Sequence, residues 1–248
     1  MTIFNIINSI LVVIIIILVF IYFLIFNHDH FYIYLKQNGF VVQPNFLSDD
    51  ELQDLSNAIR HQIITKQVES KNVIEKKNRH HYALIIDKTI KKIIHKIYIS
   101  HYLTWDTLTP EPEVVECALF ISEPNCNEQF WHRDIDVSMD NKTNIFSIGI
   151  ALNDIDKDMA PLQLFPKSHT HQLSALTLNR MFPYTSLDCK KGTLYVWDNR
   201  IMHRGGSNTS NKKRYVFYVS FMSKQCKKPY GPTYALHSKY KNLDSTTI

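Results

Sequence analysis

Residues 193–222, TLYVWDNRIMHRGGSNTSNKKRYVFYVSFM, decide the fold. The two ends, Thr193 to Trp197 and Arg214 to Met222, are dense in Val, Tyr and Phe, which suit a pleated, half-buried surface. Gly205-Gly206 marks a turn between them. Toward the N-terminus, Val114 to Ser122, Asn144 to Leu152 and Leu162 to Phe165 read the same way. Turn signals separate them at Glu123-Pro124-Asn125, Asp154 to Asp158, Pro166-Lys167-Ser168 and Lys191-Gly192. Short strands in series, without intervening helices, predict an all-β sandwich or barrel.

The preceding part reads as helical. Phe31 to Phe46 gives a short helix, a break at Gly39 and a strand over Phe40 to Val42. Ser48 followed by Asp49, Asp50 and Glu51 predicts a capping box, with Leu52, Leu55, Ile59 and Ile63 at helical spacing behind it. A second helix is expected around Asp87 to Ile99, with Ile90, Ile93, Ile94 and Ile97 on one face. Further back, Ile10 to Phe26 is an unbroken apolar run, and no charged side chain precedes Asp29. As a helix, the stretch from Ile3 to Phe26 spans roughly 36 Å, against a hydrocarbon core of about 30 Å. With no basic start and no small-residue cleavage site, it reads as a retained single-pass membrane anchor rather than a signal peptide. Lys36 is the first basic residue after it, a faint lean toward a cytosolic C-terminal domain.

The division expected is therefore an anchor over 1–28 and a domain over 29–248. Within the domain, 29–110 is expected to be helical, 111–223 the β core and 224–248 a basic tail. The chain has 248 residues and a net charge of +5, room for one soluble domain beyond the anchor. It has no GxGxxG and no P-loop, which excludes the usual nucleotide folds. Residues 61–100 hold nine Lys or Arg and three acids, the pattern of a solvated helix face that could touch anionic lipid. Without interleaved aromatics it does not suggest a nucleic-acid surface. Cys117, Cys126, Cys189 and Cys226 form no CxxC pair, so zinc ribbons and thioredoxin motifs are excluded, while free thiols and two disulfides both stay open.

The chemistry concentrates in Gln129-Phe130-Trp131-His132-Arg133-Asp134. His132 and Asp134 are two apart, so on a strand both point to one face. With His203 from residues 193–222 they make two imidazoles and a carboxylate, the facial set that suits non-haem Fe(II) and leaves positions open. Arg214 opens a core strand, where a guanidinium is costly unless it meets an anion. The far carboxylate of 2-oxoglutarate is such an anion, and a rim or core acid is the alternative. His169 and His171 are a second i, i+2 pair without a third ligand in view. Arg79 and His80 could reach the pocket from the helical part.

Four segments in order resemble the phytanoyl-CoA dioxygenase family of Fe(II)/2-oxoglutarate oxygenases. They are YLKQNGFVVQPNFLSDDELQDL, ISEPNCNEQFWHRDI, ALNDIDKDMAPLQLFPKSHTH and KGTLYVWDNRIMHRGGSNTSNKKRYVFYVSF. The resemblance implies a double-stranded β-helix, a cupin-like jelly roll that is mainly β with flanking helices. It implies His132, Asp134 and His203 as iron ligands, Arg214 as cosubstrate anchor and Gln129 near the cosubstrate or metal, with ordinary strand packing the alternative for Gln129. It also implies Fe(II), 2-oxoglutarate and O2 as requirements, ascorbate as a reductant, and hydroxylation of a small molecule, while the expected anchor points to a lipid-like one. A protein hydroxylase is the rival within that class, and a non-catalytic jelly-roll binding module at a membrane the rival outside it. Two positions where the family has glycine carry Ala160 and Lys167 here.

Overall fold

The computed structural model describes residues 10, 12–17, 30–71, 77–101, 112–135, 145–223 and 235–240. A helix over 30–38 (α1) stops at Gly39, whose φ of 78° lies in the left-handed region. A Cβ at Gly39 would sit 2.5 Å from Nδ1 of His169, so glycine is also required there by space. β1 (Phe40–Gln43) leads to α2 (Asp49–Ile64), which opens with the expected capping box. Glu51 N donates to Ser48 Oγ at 3.2 Å, and Ser48 N donates to Glu51 Oε2 at 3.0 Å. β2 (Glu69–Ser70) and β3 (Arg79–Ala83) precede α3 (Lys88–Ser100), capped by Asp87, whose Oδ1 accepts from Ile90 N at 2.9 Å. Leu52, Leu55 and Ile59 of α2 and Ile90, Ile93, Ile94 and Ile97 of α3 bury into one cluster. Both helices thereby cover one face of the main sheet.

The β part contains β4 (Pro112–Ser122), β5 (Ile145–Ala151), β6 (Leu162–Leu164), α4 (Ala175–Met181), β7 (Thr185–Leu187), β8 (Leu194–Asp198), β9 (His203–Gly205) and β10 (Arg214–Ser223). Seven strands pair antiparallel in the order β1-β8-β5-β10-β4-β3-β2, and three more in the order β7-β6-β9. Alternation along β10 sorts its two faces. Phe217, Val219 and Phe221 join the helix-covered cluster, while Val216 packs with Leu164 and Leu187 of the small sheet. The face shared by Arg214, Val216, Tyr218 and Ser220 therefore looks into the space between the sheets, where a jelly roll carries its site.

Most predicted elements are present, with corrections. β1 stands where the strand over Phe40 to Val42 was expected, but β2 and β3 are strands within 29–110 that were not expected, and all three extend the main sheet. β3 alternates inward with Arg79, His81 and Ala83, a pattern without apolar periodicity. The β core also contains a helix, α4, that buries only Leu178. Cys117, Cys126 and Cys189 are free thiols. The anchor expected over 1–28 and the tail over 224–248 lie for the most part outside the described residues. Among the described residues no helix is long and apolar enough to cross a membrane.

Ala160 (φ 54°) and Lys167 (φ 67°) both adopt the left-handed conformation, the reason glycine is usual at their places. Lys167 is exposed, and its side chain takes no part in the turn. Lys167→Gly is expected to relieve about 1 kcal/mol of strain and to raise the melting temperature by about 2–4 °C. An unchanged or lower melting temperature would count against that reading.

Candidate metal centre

The three expected ligands converge. His132 lies in the loop before Asp134, and its backbone pairs with that of His203 at the start of β9, with N–O distances of 3.0 and 2.9 Å. His132 Nε2 is 3.8 Å from Asp134 Oδ1, and His203 Nε2 is 3.6 Å from Asp134 Oδ2. One donor atom from each of the three lies within 4.8 Å of the others. The route differs from the expectation: His132 makes a single bridge and Asp134 sits in a bend, so no strand aligns them.

Both rings are held the same way. Nδ1 of His132 bonds Phe130 O at 2.8 Å, and Nδ1 of His203 bonds Ile201 O at 3.0 Å. A carbonyl accepts only, so Nδ1 carries a hydrogen and Nε2 is the nitrogen turned toward Asp134. Burial pushes the His203 pKa down to about 4, with Asp134 opposing, so the ring is neutral at ordinary pH and ready to ligate. Arg133 pins the loop between the ligands. Its guanidinium donates to the carbonyls of Arg200 (2.9 Å), His171 (2.9 Å), Leu173 (3.1 Å) and Ser168 (3.3 Å). Two imidazoles and a carboxylate in this spacing fit one divalent iron.

Arg214 is buried, and its Nη1 donates to Ala160 O. Its Nε is buried and has no hydrogen-bond partner among the described residues. Among those residues no acid pairs with it, so the salt-bridge alternative finds no support there. Desolvation lowers its pKa, the signature of a cation away from water and without a strong counter-charge. An orphaned guanidinium edge on the inward face fits a carboxylate ligand.

Gln129 is buried, and its Oε1 accepts from Gly205 N at 2.8 Å. A Cβ at Gly205 would sit 2.8 Å from both Gln129 Oε1 and Arg79 Nη1. Arg79, for which the sequence offered only reach, is a central brace. Its guanidinium donates to Ser122 Oγ (2.9 Å), Asn127 O (2.8 Å) and Gly206 O, tying β3 to the strand of the distal ligand. His169 is not brought to the triad. Its Nε2 bonds Lys36 O at 3.0 Å and fastens α1 to the turn over 168–170.

A polar cluster that the sequence did not announce lies on the same inward face. Glu116 Oε2 accepts from Tyr218 OH (2.6 Å) and Ser220 Oγ (2.5 Å), and Glu116 Oε1 accepts from Ala235 N at 3.4 Å. Desolvation, with the Asp134 charge adding to it, raises the Glu116 pKa from 4.5 to about 7 against the pull of the two hydroxyls. The folded state therefore binds a proton more tightly than the unfolded chain does. Its contribution to stability is full below about pH 4.5 and is lost as pH rises toward 7. In Glu116→Gln this loss is expected to vanish, so the variant's melting temperature falls less than the parent's between pH 5 and 7.5. Parallel curves for the two proteins would refute the assignment.

A jelly roll holding two imidazoles, a carboxylate and a buried arginine defines a non-haem iron oxygenase that uses a 2-oxoacid. The family described as Phytanoyl-CoA dioxygenase (PhyH) matches residues 35–216, and the chain belongs to it. Its cofactors are iron and 2-oxoglutarate. The fold is similar to that of the non-heme alpha ketoglutarate dependent epimerase SnoN from nogalamycin biosynthesis. That match has a TM-score of 0.70 at 14% identity, covering 88% of this chain and 92% of that one. It is also similar to the carbocyclase SnoK from the same biosynthesis (TM-score 0.63, 16% identity, 83% and 92% covered). A third match is AviO1 from Streptomyces viridochromogenes Tue57 (TM-score 0.65, 17% identity, 82% and 97% covered). SnoN has also been solved with Fe3+, alpha ketoglutarate and nogalamycin RO. No curated protein matches the chain by sequence.

Proposed function

We propose that this protein is a membrane-anchored Fe(II)/2-oxoglutarate-dependent dioxygenase that hydroxylates a small, lipid-like molecule. The convergence of His132, Asp134 and His203 carries the reading. Bound there, iron with 2-oxoglutarate and O2 supplies oxidation of a C–H bond, with succinate and CO2 as coproducts. His132 and His203 offer their Nε2 atoms, and Asp134 completes the ligand set. Retention of that carboxylate favours hydroxylation. Arg214 takes the far carboxylate of 2-oxoglutarate, and Gln129 stands on the cosubstrate side while bracing β9.

Two features support the membrane and the lipid-like substrate. Residues 10 and 12–17 are helical and exposed all round, Ile16 at 62%, with no polar side chain among them. Such a helix needs an apolar medium. Phe130 lies in the metal loop and Tyr184 packs on its Trp131, and both are exposed, as are Leu176, Met181 and Phe182 on the same stretch of chain as Tyr184; residues 159–187 contain no acid. Exposed apolar side chains there suit an apolar substrate better than a peptide.

The test is fractionation plus turnover. The full chain should stay with membranes through an alkaline carbonate wash and leave them in detergent. In detergent it should release succinate from 2-oxoglutarate faster when lipid extracts are added than when soluble peptides are. Release by carbonate would refute the anchor. Stimulation by peptides alone would refute the substrate class.

A further inference from the structure

The described residues leading up to Asp134 and Ile135 have almost no regular structure of their own, so the Asp134 carboxylate is placed from outside. Asp134 N and Ile135 N both donate to the backbone oxygen of Asn199, at 3.0 and 3.3 Å. Asn199 is 4% exposed and sits in the turn that follows β8. Two contacts fix it. Its N donates to Ile145 O at 3.1 Å, and its Oδ1 accepts from Ser147 Oγ at 2.7 Å. Ser147 Oγ in turn lies 2.9 Å from Tyr218 OH and 2.9 Å from Ser220 Oγ. Those two hydroxyls are the ones that donate to Glu116.

We infer that Asn199 is the positioning residue for the metal-binding carboxylate of Asp134, and that Glu116 sets Asn199 through Tyr218, Ser220 and Ser147. The inference rests on the metal-site reading above and deepens it. The register makes the connection direct. Ser220 stands opposite Glu116 on β4 and opposite Ser147 on β5, so the cluster spans three neighbouring strands at one level. Ser147 and Ser220 are fully buried, so neither can exchange its partners for bulk water. Strands this firmly paired form a rigid base, and Asn199 transmits their position to a loop that has none of its own.

The proton inventory says which form of Glu116 the cluster takes. Five oxygen contacts join Glu116, Tyr218, Ser220, Ser147 and Asn199. The three hydroxyls hold three protons among them. An ionised Glu116 adds none, and a protonated one adds a fourth. The neutral acid is the better-satisfied form, because its extra hydrogen lets one of the two hydroxyls turn from Glu116 to Ser147. A neutral carboxamide at this position should serve nearly as well, whereas a methyl group should not.

Cobalt(II) is the probe, titrated into the metal-free full chain in detergent and followed by its d–d absorption. The melting temperature of each metal-free variant is recorded beside it. Asn199→Ala and Glu116→Ala are expected to weaken Co(II) binding by about 10–100-fold and to alter the d–d spectrum. Glu116→Gln should restore most of the affinity and the parent spectrum. If Asn199→Ala does not fold, Ser147→Ala removes the same hydrogen bond from the other side and carries the same expectation. Parent-like affinity and spectrum in the alanine variants would overturn the inference, as would Glu116→Gln behaving no better than Glu116→Ala. A parent chain that binds no cobalt would overturn the metal reading and this inference together. Binding in the parent with unaffected variants would overturn this inference alone.

Discussion

Replacing His203 by alanine is expected to abolish metal-dependent turnover of 2-oxoglutarate. Loss of a partner that merely orients a ligand weakens a metal by about 10–100-fold, and loss of a ligand should exceed that. The change should be local. The backbone pairing of His203 with His132 does not use the side chain, and β9 keeps its register with β6. The ring is buried and neutral, so alanine leaves a small cavity rather than a stranded charge. His171→Ala is the control, because His171 is exposed and contributes only its carbonyl to Arg133. Turnover in His203→Ala within about tenfold of the parent would mean that the metal sits elsewhere.

The second large effect belongs to Arg214. Arg214→Ala is expected to raise the dissociation constant for 2-oxoglutarate by roughly 30-fold to several thousand-fold, equivalent to about 2–5 kcal/mol for a buried charge losing its partner. Metal affinity should hardly change, because Arg214 touches Ala160 O and the Phe120 ring rather than the triad. Arg214→Lys should recover part of the loss at most, since an ammonium lacks the planar fork that binds a carboxylate at two points. The measurement is titration of 2-oxoglutarate into the metal-loaded protein under argon. A variant that lost metal and cosubstrate in equal measure would show that Arg214 only supports the fold.

The helical layer was legible because its chemistry is local. Ser48 and Glu51 cap α2 reciprocally, Asp87 caps α3, and the four isoleucines at helical spacing bury together. The long strands were legible where one face is apolar, as along Phe217, Val219 and Phe221. Signal failed where the inward face serves the site. β3 points Arg79 and His81 inward, and β4 and β10 point Glu116, Tyr218 and Ser220 into the same space, so the binary pattern breaks there. The three-residue strands β6, β7 and β9 are too short for alternation to show in full, and α4 buries a single leucine.

At the candidate site, the convergence of His132, Asp134 and His203 was readable as residue types in a spacing and an order, and Arg214 as a cation entering the core. How they are held was not. The His132 to Asp134 segment reads as a strand but is a loop placed by the Arg133 guanidinium and the Asn199 carbonyl, and the partners of both are backbone groups that leave no mark in the sequence. Arg79 lies more than fifty residues before His132 and reaches Gly206 only through the three-dimensional fold. No sequence period could register that contact.

The most direct test is thermal unfolding of the full chain in detergent under argon, with Fe(II), and then with Fe(II) and 2-oxoglutarate. A ligand that binds only the folded state must raise the melting temperature, by about 2.7 kcal/mol of added stability at one hundred times its dissociation constant. The parent should gain with iron and gain again with 2-oxoglutarate. His132→Ala should lose the first gain, and Arg214→Ala only the second. A well-folded parent whose melting temperature neither ligand moves would contradict the assignment of this fold to iron and 2-oxoglutarate chemistry.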